Sequence, residues 1–179
     1  MSEAASVLEF WQNAGPKAWF AKSDEFDTSI RQQFGVLHEK AASNELSAWE
    51  DQPDSALALI LILDQFSRNL FRNDARAFAQ DELCLKIAKS SLSQNFDAKV
   101  DPSLKQFYYM PLMHSESILD QRHCVRLFHA ANLPDNLKFA ILHRDIIERF
   151  GQFPHRNSVL GRPISPTERS FLDGGGFSG

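Results

Sequence analysis

A chain of 179 residues with 43% hydrophobic content, fifteen Phe and three Trp has the material for one substantial core. Nineteen Lys plus Arg against 23 Asp plus Glu leave a net charge of −4, so there is no basic footprint for nucleic acid. The acidic start Met1-Ser2-Glu3 does not read as a secretion signal, so none is expected, and the longest apolar run, residues 56–63, is far shorter than the roughly 20 residues a spanning helix needs. No membrane partner is expected. Cys84 and Cys124 stand apart, without CxxC spacing, as buried reduced thiols do, which fits a cytoplasmic protein.

In chain order, Val7, Phe10 and Trp11 fall at i, i+3, i+4, and Phe26, Ile30, Phe34, Leu37 and Ala41 continue the period, predicting two amphipathic helices. Pro53 suits a first turn and opens a central helix over residues 54–72, apolar on every side at its middle. Asn73 or Asp74 is expected to cap the next helix, running to about Asn95, and a loop follows over residues 97–102. Helical pattern resumes near Leu104, meets Pro111 and restarts over residues 113–131; Asn132-Leu133-Pro134 then punctuates before a helix over residues 135–150. Ser165-Pro166-Thr167-Glu168 has the pattern of a capping box opening a last short helix, which Gly174-Gly175-Gly176 ends. No stretch alternates long enough to demand a strand. The expected fold is all-α: one helical domain over residues 1–179, with seven to nine helices packed as antiparallel hairpins.

Some polar residues fall on faces that otherwise look buried. At 100° per residue, Asp64 and Arg68 project with Leu57, Ile60, Leu61 and Phe71, as an i,i+4 ion pair on the core side. Arg72 finds no carboxylate by this spacing and is expected to be available to an anion. His114 shares an apolar stripe with Ile118, Gln121, Val125 and Phe128, and His143 shares one with Phe139, Ile146 and Phe150. Either histidine can equally be a satisfied core residue. Gly151 reads as a helix C-cap and Pro154 as the stiffener of a turn presenting His155, Arg156 and Asn157, a trio suited to phosphate or carboxylate, or to clamping helix ends.

Tests for established machinery fail. His143-Arg144-Asp145 resembles a kinase catalytic loop only by chance, because Phe150 stands where that loop needs Asn. His-x3-His spacing, Gly-x-Ser-x-Gly and Walker A are missing, and no GxGxxG follows a strand, so no metal and no cofactor are expected.

Val7-Leu8-Glu9-Phe10-Trp11, Trp19-Phe20, Leu63-Asp64-Gln65-Phe66-Ser67-Arg68-Asn69-Leu70-Phe71-Arg72, Pro111-Leu112-Met113-His114-Ser115-Glu116 and the segment from His143 through Asn157 resemble the hallmark segments of a bacterial family, domain of unknown function 924. The likeness spans nearly the whole chain. It implies a tetratricopeptide-like array of helical hairpins and no particular activity. Ser67 departs from the pattern, where proline is expected, and should leave that part of the helix less rigid.

The leading expectation is a binding module. Arg68, Arg72, His114, Glu116, His143, His155 and Arg156 would line a polar pocket for a small anionic ligand or an acidic peptide, with Glu116 or Asp145 orienting a cation. The alternatives are a hydrolase or transferase for a phosphorylated or carboxylated metabolite, with His114 or His143 as general base, and a protein-interaction scaffold.

Overall fold

The computed structural model describes residues 2–178, and all regular structure among them is helical. These residues group into two compact units: residues 2–72 with 76–111, and residues 73–75 with 112–178.

In the first unit, α1 (Glu3–Trp19) begins where the Ser2 hydroxyl accepts from the Ala5 N–H. Gly15, at φ 74°, and Pro16 break it. The break lets Trp19 fold back, stacking on Trp11 at 6.1 Å and donating its indole N–H to the Trp11 carbonyl at 2.6 Å. α2 (Asp24–Ala42) is capped in the same manner by Ser23. The central helix starts with Pro53 as α3 (Pro53–Ile60), widens into a π-helical turn over Leu61–Phe66 and finishes as α4 (Ser67–Leu70). Residues 56–63 are all buried, as an all-round apolar sequence requires. Around them Trp11 contacts the rings of Phe26, Phe66 and Phe107, and Phe10 those of Phe26, Phe34 and Phe66. Each of the fully buried ones, Trp11, Phe66 and Phe107, stabilises by about 1.5–3 kcal/mol before ordering costs.

Here two boundaries differ from the sequence reading. The central helix stops at Leu70, short of Arg72, and Asn73 takes a left-handed φ of 59°. Asn73 therefore ends a turn instead of capping a helix. A 3-10 turn, Ala75–Phe78, intervenes before α5 (Asp81–Ser93).

α6 (Met110–His114) is followed in the second unit by α7 (Ile118–Ala130), α8 (Pro134–Phe150) and α9 (Pro166–Asp173). A short turn with Asn132 at φ 53° joins α7 and α8, which pack along each other as an antiparallel hairpin. The expected helix over residues 113–131 is in fact two, because residues 115–117 leave helical geometry. Buried Gln121 holds that break from within, its amide donating to the carbonyls of Met113 and Ser115 at 2.7 Å each. Gly151, at φ 72°, caps α8, and its N–H reaches the Ile147 carbonyl. The capping box at Ser165 forms as the sequence predicts: the Ser165 hydroxyl accepts from the Glu168 N–H, and the Glu168 carboxylate accepts from the Ser165 N–H. Among the described residues no helix is long and apolar enough to cross a membrane.

Candidate functional site

The seven candidate residues lie in two places. Arg68 and Arg72 belong to the first unit; His114, Glu116, His143, His155 and Arg156 belong to the second.

In the first unit both guanidiniums meet carboxylates. The wide π-helical turn carries Asp64, which is buried, and it spoils the 100° count beyond that point. Arg68 stands 3.7 Å from Asp64 but only 2.8 Å from Asp81, donates to the Ala77 carbonyl and lies over the Phe78 ring. Arg72, expected to lack an acid, donates to both oxygens of Asp27, while Asn69 donates to Asp27 at 2.7 Å. Burial by itself raises the Asp27 pKa, but the bonds from Arg72 and Asn69 outweigh it and hold the carboxyl below its ordinary value. These arginines join helices and the loop after α4. Ser67 is likewise fixed, not loose: it is fully buried, its hydroxyl donating to the Leu63 carbonyl at 2.6 Å and accepting from His38 Nε2 at 2.8 Å. Cys84 and Cys124 are buried and neither is in a disulfide.

In the second unit imidazoles gather about a rigid turn. α8 holds His143, whose Nδ1 donates to the Phe139 carbonyl at 2.8 Å. A carbonyl only accepts, so the proton is on Nδ1 and Nε2 is left as an acceptor. Phe153, at the start of the 3-10 turn Pro154–Arg156, stands 5.4 Å from the His143 ring and 5.6 Å from the His155 ring. Buried Arg156 lies over Phe153, 4.5 Å from its centroid. These groups also bear on one another's ionisation. Burial depresses the His143 pKa to about 4, with His114 and Arg156 adding to the fall. Burial depresses that of His155 to about 3, assisted by Arg156, His143 and His114. His155 Nδ1 is buried and has no hydrogen-bond partner among the described residues.

Glu116 does a different job. Its carboxylate accepts from Arg162 through both terminal nitrogens, at 2.7 and 3.0 Å, and from the Phe153 N–H at 2.7 Å. Arg162 also donates Nε to Asn157 at 2.9 Å, and Asn157 and Gln152 both donate to Glu168 Oε1. Glu116, Arg162, Asn157 and Glu168 thus form one frame that fixes residues 152–157. Burial raises the Glu116 pKa, yet the Arg162 and Phe153 bonds and the Arg162 and Arg156 charges bring it below its usual value. No group of three or more His, Cys, Asp or Glu among the described residues could hold a metal ion.

The model of a bacterial protein family of unknown function, DUF924, matches residues 7–176. The chain belongs to this family. As a DUF924 protein it is also similar to a solved structure, that of the protein of unknown function ATU0120 from Agrobacterium tumefaciens, with 40% identity. The match covers 96% of this chain and 97% of the other at a TM-score of 0.92. No curated protein matches the chain.

Three members of the DUF924 chain's second-unit cluster went unseen in the sequence. Arg162 and Phe153 carry no periodic signal, and Phe177 follows three glycines at the end of α9. Glu168 was visible as a capping residue, whereas its bonds to Asn157 and Gln152 depend on chain reversal.

Proposed function

We propose that this protein is a binding module for a small anion, and that His114, His143, His155 and Arg156 make its site. The observation that carries this reading is the buried Nδ1 of His155, which has no hydrogen-bond partner among the described residues, in a turn that also holds a buried guanidinium. An unsatisfied buried nitrogen costs about 1–3 kcal/mol, which a ligand supplying the bond recovers. A carboxylate or phosphate group suits this place because Arg156 provides charge and donors, and a protonated Nδ1 provides one more. Glu116 serves as a positioning residue, since Arg162 already uses its carboxylate. Arg68 and Arg72 are structural in this reading, their charges answered by Asp27, Asp64 and Asp81.

An enzyme using His143 as general base is less well supported. A base whose pKa lies near 4 is too weak for efficient proton abstraction at neutral pH.

Titration calorimetry with acetate and with inorganic phosphate tests the proposal. Saturable binding of one of them is expected, lost in Arg156→Gln and kept in Arg122→Gln, an exposed arginine paired with Glu148 on the α7–α8 hairpin. Binding of neither anion, or equal binding by both variants, refutes it.

A further inference from the structure

One aromatic ring from the end of the described chain covers the histidines. Phe177 stands 4.6 Å from the His143 imidazole and 5.2 Å from that of His155, with interplanar angles of 61° and 82°. The ring is half-buried and packs against the apolar group of Ile146, Ile147 and Phe153. Two imidazoles kept neutral by burial make good edge and face partners for such a ring. They and Phe153 form an aromatic slot, and Phe177 fills it.

The route by which Phe177 arrives depends on glycine. Gly175 has a φ of 80°, and a Cβ added at Gly176 would lie 2.5 Å from the Phe171 carbonyl oxygen and 2.6 Å from its ring. Only a residue without a side chain passes there. The Gly176 N–H donates to the same Phe171 carbonyl at 2.9 Å, the last turn before Phe177. The path is therefore tied to α9 at Phe171 and carries a single inserted ring, an arrangement that a competing ring can replace without unpacking a helix.

We propose that Phe177 is a resident plug, and that the ligand is an anion bearing a flat apolar ring, an aromatic carboxylate in its simplest form. The ligand's ring takes the place of Phe177 between His143 and His155, while its anionic group meets Arg156 and His155 Nδ1. This inference rests on the anion-binding reading above and adds the class of ligand and the means of closure.

Benzoate and acetate are the probes, titrated by calorimetry into the full chain, into Phe177→Ala and into Gly176→Ala. Phe177→Ala deletes the plug, and Gly176→Ala dislodges it by backbone collision while keeping the ring, so a folding failure of one variant leaves the other decisive. Benzoate is expected to bind both variants about tenfold more tightly than the unaltered chain, since neither has to displace a seated ring, with acetate changed by less than about twofold. Acetate binding that depends on Arg156, with no gain for benzoate in either variant, overturns the plug and leaves the anion site standing. If neither probe saturates any of the three proteins, the anion site fails and the plug with it.

Discussion

Asp27 and Arg72 are 45 positions apart, and their pairing decides what Arg72 can do. Their side chains are 13% and 30% exposed, so the pair is shielded enough to matter but not sealed. In Arg72→Ala the Asp27 carboxylate keeps Asn69 and loses its two bonds to the guanidinium. A loss of about 1–3 kcal/mol is expected, read as a lower urea midpoint with an unchanged slope. Unchanged stability would mean that the arginine is not a structural cross-link. Helix spacing could not have shown this partnership. It foretold the i,i+4 pair of Asp64 and Arg68, because both are on one helix, and was blind to Asp27 and Asp81, which tertiary folding brings up. The same limit hid Arg162 from Glu116, 46 positions away.

At the scale of elements, local chemistry was the better guide. Pro53 in the first turn placed the start of α3, and capping signals placed the start of α9 and the end of α8, since each acts through neighbours in sequence. Apolar period placed α1, α2 and α8 for a similar reason. It misled at His114, where the stripe through Phe128 runs across a break that only the buried Gln121 amide explains. His114 reaches the cluster from α6, on the far side of that break. It also could not foresee the π-helical turn, in which one extra residue shifts the phase of everything after it. Gly151→Ala isolates one of these local devices. Nothing lies within 4 Å of an added Cβ, so the penalty is that of a left-handed backbone alone, about 1–2 kcal/mol by thermal or chemical unfolding. A neutral result would show that α8 can end without that conformation, and residues 152–157 would then owe their placement to the Glu116 frame alone.

For the molecule as a whole, the all-α class and the family were legible because both rest on long segments of sequence. The gathering of His114, His143, His155 and Arg156 was legible only as types of residue, since their meeting depends on a hairpin and a turn. Those histidines also couple the site to global stability. Their folded pKa values are depressed, so between about 6.5 and about 4 the unfolded chain holds protons that the native chain refuses. Stability conferred by the neutral rings is complete above 6.5, falls as the pH drops through that window and levels off below the folded values near 4 and 3. A bound anion should oppose the fall by drawing the cluster toward its protonated form.

Long-range proton–nitrogen NMR of the imidazoles, recorded from pH 7 down to pH 4 with and without acetate, reads protonation and binding in one experiment. His143 should show a proton on Nδ1, both His143 and His155 should stay neutral through pH 5 in the free protein, and acetate should shift the two sets of signals together and saturably. Histidines that titrate near 6.5, with signals that acetate leaves in place, would contradict a buried anion site in the second unit.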